Sequence, residues 1–129
     1  MKVFSIMPHF SDAEFNAKKA LLLGISSGYN CEMLIGSNSG REDDVNATLE
    51  KLHSADAVLA DLTLERPSCY FELGYAQAIK KPVFLIARAG TEIHQCISRC
   101  SLNTYNSFNE YGSLIGRILS SLSGLEQSD

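Results

Sequence analysis

Apolar positions change period several times along this chain, and each change marks a predicted element. Val3 to Met7 is a short apolar run with strand composition, stopped by Pro8. Ser11-Asp12-Ala13-Glu14 follows and reads as a capping box, in which serine and glutamate satisfy each other's end of a new helix. That helix is expected to run to Ser26, with Gly28 at its exit. Cys31 to Ile35 is a second apolar run. Ser39 and Glu42 form a second capping box, after which Val45, Leu49 and Leu52 fall at helical spacing. Ala57 to Asp61 is a compact third strand that ends in a carboxylate, and Leu62 to Pro67 is a loop. A helix is predicted from Ser68 to Lys80, and a fourth strand from Pro82 to Ala87. A short helix is expected over Glu92 to Arg99 and a weak fifth strand over Leu102 to Asn106. Ile115, Ile118, Leu119 and Leu122 give the last helix an apolar stripe.

Strands that alternate with helices build parallel βα units. Five of them predict a flavodoxin-like, doubly wound α/β sheet of order 2-1-3-4-5 in three layers. Residues 1–123 form its single domain, and 124–129 are read as a polar tail. In such a sheet the ligand crevice lies outside the carboxyl ends of strands 1 and 3, where the winding reverses. Those ends carry Met7-Pro8-His9 and Asp61-Leu62-Thr63.

Composition narrows the class of partner. A net charge of -4 argues against broad binding to nucleic acid, which needs a basic surface. No apolar run approaches the roughly 20 residues of a membrane span. The start, Met1 to Met7, is too short for a signal peptide and reads as a strand. The cysteines Cys31, Cys69, Cys96 and Cys100 form no CxxC pair and are expected as free thiols in a reducing compartment, so the expected location is cytoplasmic. His94, Cys96 and Cys100 match no common zinc spacing, and no metal is expected. Gly36-Ser37-Asn38-Ser39-Gly40-Arg41 could cradle a phosphate, but it lacks the Lys-Ser/Thr ending of a P-loop and follows strand 2. A surface loop is the expectation there.

Glu72 is the main candidate for chemistry. At helical spacing it shares a face with Tyr75, Ala76 and Ile79, near the positive end of its helix. Desolvation there would raise its pKa and the dipole would lower it. The bland reading is a first-turn glutamate that only favours the dipole. Asp61 has two readings as well, a ligand-facing carboxylate or the cap of a turn. Cys69 adjoins Glu72, with no histidine nearby in sequence to activate it.

Three ordered stretches carry a resemblance. Ala55-Asp56-Ala57-Val58-Leu59-Ala60-Asp61-Leu62-Thr63, Tyr70-Phe71-Glu72-Leu73-Gly74-Tyr75-Ala76 and Lys81-Pro82-Val83-Phe84-Leu85-Ile86 resemble the nucleoside 2-deoxyribosyltransferase superfamily. That group includes deoxynucleoside 5'-monophosphate N-glycosidases and shades into TIR-like domains. The turn Ile6-Met7-Pro8-His9-Phe10-Ser11-Asp12 is similar to its TIR-like members. The resemblance implies that Glu72 is a nucleophile toward the anomeric carbon of a (deoxy)ribosyl group. At the crevice Asp61 could then bond ribose hydroxyls or orient Glu72, Thr63 and Ser68 could line the same pocket, His9 could sit over a base or phosphate or face solvent as a loop histidine, and Met7 and Tyr75 complete the candidate substrate residues. It implies no cofactor, a small-molecule nucleoside, nucleotide or dinucleotide as partner, and a homo-oligomer. An NAD glycohydrolase of TIR-like type, as in phage defence, and a non-catalytic nucleotide-binding signalling module are the alternatives.

Two positions depart from the family pattern. The family's aspartate on the preceding helix, eight residues before the position of Asp56, is Thr48 here. Asp44, one turn earlier, is a possible substitute. Where TIR-like members read Asn-Pro-Asn, this chain reads Arg66-Pro67-Ser68.

Overall fold

The computed structural model describes residues 1–8, 12–36, 42–93 and 102–127, with side chains in the second helix described from Val45 and in the last to Ser123. The elements run β1 (Lys2–Ile6), α1 (Phe15–Ser26), β2 (Glu32–Ile35), α2 (Glu42–Ser54), β3 (Ala57–Asp61), α3 (Pro67–Ala78), β4 (Val83–Arg88), β5 (Leu102–Tyr105) and α4 (Phe108–Gln127). The strands form one sheet of order β2-β1-β3-β4-β5, and every pairing is parallel. This is the predicted flavodoxin-like topology.

Alternation in β3 shows how the layers close. Ala57 and Leu59 point into a core shared with Leu22 of α1 and with Leu114, Ile115 and Leu119 of α4. Val58 and Ala60 point the other way, onto Leu52 of α2 and Leu73 and Ala76 of α3. A central strand covered on both faces has to be apolar throughout, and all five residues of β3 are buried. The last of them is Asp61, so the sheet's most enclosed strand delivers a carboxylate to its own carboxyl end.

Three local details differ from the sequence reading. Asp12 serves the start of α1, since its Oδ1 accepts the Glu14 backbone N–H at 2.8 Å and its carbonyl accepts that of Phe15 at 3.0 Å, while Ser11 of the predicted box lies outside the described residues. Glu14 turns its carboxylate to Arg88 instead, which removes it from any box. The loop after β3 contains a 3-10 turn, Thr63–Glu65. Residues 124–127, read as tail, continue α4. The helix expected over Glu92 to Arg99 falls largely outside the described residues.

The stripe of Ile115, Ile118, Leu119 and Leu122 is buried as predicted. No described helix is long and apolar enough to cross a membrane.

Candidate active site

The carboxyl ends of β1 and β3 are neighbours in the sheet, with Ile6 in register with Ala60. From the end of β3 the chain makes the turn Thr63–Glu65 and enters α3 at Pro67, a residue suited to a first turn because it has no N–H to leave unpaired. Cys69, Leu73 and Ala76 then form the buried face of α3. Glu72 lies at the edge of that face, only partly exposed. Burial pushes its carboxyl up from 4.5 to about 7, and no hydrogen-bond donor among the described residues serves it. Such a carboxylate is poorly solvated and ionises near neutrality, which suits a nucleophile or a proton carrier.

Cys69 lies where the charges of both Glu72 and Asp61 reach its sulfur. Burial first, then those two charges, push its thiol up to about 12. At that value it is a protonated core residue and not a nucleophile.

Asp61 is enclosed at 1 % exposure, with both oxygens engaged. Its Oδ1 accepts the Thr63 backbone N–H at 3.0 Å and the Thr63 hydroxyl at 2.6 Å. Its Oδ2 accepts the Tyr105 hydroxyl at 2.9 Å and lies 3.7 Å from Lys18 Nζ. Lys18 Nζ donates to Asp12 at 2.6 Å and to the Tyr105 hydroxyl at 2.7 Å. The Thr63 oxygen also accepts the Arg88 backbone N–H at 2.9 Å. The carboxyl ends of β3, β4 and β5 and the first turn of α1 are thus joined by one buried polar network. Burial alone would lower the Lys18 pKa, but the hydrogen bonds to Asp12 and Tyr105 and the charge of Asp61 outweigh it, and the net shift is upward. Tyr105 is pushed up to about 12, by burial and then by Asp61.

The other predicted site residues are dispersed. Met7 is buried in the core among Phe15 and Tyr111. Ser68 is exposed on the first turn of α3. Tyr75 bonds His53 of α2 through its hydroxyl, with the two rings edge-on and their centroids 5.4 Å apart. His9, His94, Cys96, Cys100 and the loop 37–41 lie outside the described residues. No group of three or more described His, Cys, Asp or Glu side chains could hold a metal.

A groove of about 960 Å³ runs elsewhere, between α1 and α4, lined by Leu21, Tyr29, Phe108, Gly112 and Gly116. It is the seam of two packed helices: a Cβ at Gly112 would lie 3.1 Å from Leu21 Cδ1. Its lining contains neither Glu72 nor Asp61.

No family profile matches the chain, and no curated protein matches it in sequence. Solved structures do match it in shape. The CMP N-glycosidase BcmB of Clostridium botulinum superposes with a TM-score of 0.69 at 17% identity, covering 89% of this chain and 98% of that one. The 2-deoxyribosyltransferase of Bacillus psychrosaccharolyticus superposes with a TM-score of 0.64 at 16% identity, covering 92% of this chain and 96% of that one. The chain shares the doubly wound α/β fold of these two proteins. Within this fold Thr48 is buried at 4 % exposure, and a Cβ on Gly36 would come within 3.1 Å of its Oγ1 and 3.2 Å of the Phe4 ring. Thr48 is therefore wedged beneath the chain that leaves β2, and its hydroxyl is no acid to set against Glu72.

Lys18 and Tyr105 were not singled out by the sequence. The available signal was position: Phe15, Lys18, Leu22 and Ser26 follow one helical stripe, and all four are buried. A lysine inside an apolar stripe has to find anions in the interior.

Proposed function

We propose that this protein cleaves or transfers the N-glycosidic bond of a nucleoside or (deoxy)nucleotide, with Glu72 as the nucleophile. The carrying observation is the poorly solvated Glu72 carboxylate on the first turns of α3, beside the end of β3, in a fold shared with an N-glycosidase and a deoxyribosyltransferase. In this reading a Glu72 oxygen attacks the anomeric carbon as its bond to the base breaks, and the base leaves with the bonding pair. Water or a second base then displaces the glutamate from the sugar ester. A neutral base departs as an anion unless a proton reaches it. Ser68, exposed on the first turn of α3, would add a hydroxyl to the same sugar site.

A specific observation favours a second reading. Asp61 has both oxygens bonded within the protein, and Thr48 is packed away, so no described acid is placed to protonate a leaving base. A base that is already cationic, such as the pyridinium of NAD, leaves neutral and needs none. This is the TIR-like alternative. A third outcome, binding without turnover, would describe a nucleotide sensor.

Incubation with deoxynucleosides, their 5'-monophosphates and NAD, read by chromatography for free base, separates the three. Release from nucleosides or monophosphates supports the first reading, and release from NAD alone the second. Binding with no base released supports the sensor. Glu72→Ala should remove turnover, and full turnover in that variant would take Glu72 out of the mechanism. Self-association belongs to the same proposal, because a neighbouring subunit could supply the absent acid. Sedimentation at working concentration should show an oligomer, and a fully active monomer would rule that source out.

A further inference from the structure

We infer that Lys18, which lies within the buried network and away from Glu72, is a positioning residue that aims Glu72 through Asp61 and Thr63. The kinetic part of this inference rests on Glu72 being the nucleophile; the structural part does not.

Among the described residues no hydrogen bond holds the Glu72 side chain, so its aim depends on how α3 leaves the sheet. The connection from β3 to α3 is strained. Leu64 and Glu65 are consecutive non-glycine residues with left-handed backbones, at φ 70° and 45°. Each such residue is strained, and persists only where its surroundings fix it. Both flanks of the turn are tied. On the β3 side the Thr63 N–H and hydroxyl are held by Asp61 Oδ1. On the α3 side the Tyr70 hydroxyl donates to Glu65 Oε1 at 2.8 Å. Within it the Glu65 N–H reaches the Leu62 carbonyl at 3.0 Å.

The first tie holds only if Asp61 keeps its place, and Asp61 is almost wholly buried. Lys18 is the cation that compensates it, at 3.7 Å, with the Tyr105 hydroxyl bridging the two. Lys18 has no exposed surface, and the turn it would set lies over 40 residues away in sequence, directly after the carboxyl end of β3. The path is physical and short: Lys18 to Tyr105 and Asp61, Asp61 to Thr63, Thr63 to the left-handed pair, the pair to α3.

The test compares wild type with Lys18→Met, Lys18→Arg and Thr63→Val. Thr63→Val removes the hydroxyl half of the last link, keeps the backbone N–H bond to Asp61 and leaves no buried charge unpaired, so it decides the matter if Lys18→Met does not fold. Amide hydrogen exchange is read at Leu64, Glu65 and Arg66 and, as a reference, in β1 and β3. The expected result for Thr63→Val and any folded Lys18→Met is exchange at the turn at least tenfold faster, with the strands unchanged. In the enzyme assay the same variants should lose at least tenfold in kcat, with KM within twofold, and Lys18→Arg should recover part of it. Exchange that rises uniformly, or not at all at the turn, would overturn the inference. So would a folded variant with a loosened turn and wild-type kcat. If wild type releases no base from any substrate, the functional proposal fails while the exchange measurement still decides this one.

Discussion

Glu72 costs stability in the state that makes it useful. Its carboxyl titrates near 7 in the folded chain and near its ordinary 4.5 when unfolded. Between those values the folded state holds the extra proton, so stability falls as pH rises through that window. The penalty is absent below pH 4.5 and complete above pH 7, on the order of 1–3 kcal/mol. Glu72→Gln mimics the protonated form. It should melt a few degrees above wild type at pH 8 and level with it at pH 4, by thermal denaturation at each pH. A nucleophile must also be ionised. We therefore expect kcat/KM to climb about tenfold per pH unit below 7 and flatten above 8. The same variant should be slower by on the order of a thousandfold or more. A glutamine variant that is both stabilised and inert at high pH, and only inert at low pH, would tie both effects to one carboxylate.

At the scale of elements, the ends carry more information than the middles. Helix α3 closes on Lys80, which is left-handed at φ 62° and donates its N–H to the Gln77 carbonyl, while the Lys81 N–H reaches Ala76. Glycine is the usual residue at such a position, because a Cβ there is crowded. Lys80→Gly should raise stability by up to about 1 kcal/mol in denaturant unfolding and leave turnover alone. The bounds of β3 and the stripe of α4 could be read from the sequence, because a strand buried on both faces and a helix buried on one have clear periods. At the start of α1 the spacing of Ser11 and Glu14 suggests a box, but it does not report that Glu14 pairs with Arg88, 74 residues away in the chain. For α3, Glu72 could be placed on its helix, but Tyr75 could not be assigned to His53, nor Lys18 to Asp61. Those contacts join separate elements, and local period does not report which side chains meet across a sheet.

For the whole molecule, the sheet separates two cores, and Asp61 sits where the two meet the rim. Lys18 and Tyr105 approach it from the side of α1 and α4, and α3 departs on the other. Damage on one side can therefore reach Glu72 by two routes, through lost stability or through a misplaced turn. Two substitutions separate them. Leu119→Ala removes a side chain that is 1 % exposed in the α1–α4 core, and should cost roughly 2–5 kcal/mol. Tyr105→Phe keeps the ring and its edge contact with Tyr111 at 5.1 Å, but takes a donor from Asp61 and an acceptor from Lys18. Its expected cost is about 1–3 kcal/mol, no more than the first. If the polar network only adds stability, the leucine variant should be the less active of the two at a temperature where both are folded. If the network aims Glu72, the order reverses: Tyr105→Phe is the slower enzyme despite being the more stable protein. Melting curves and kcat measured on the same preparations give the ranking directly.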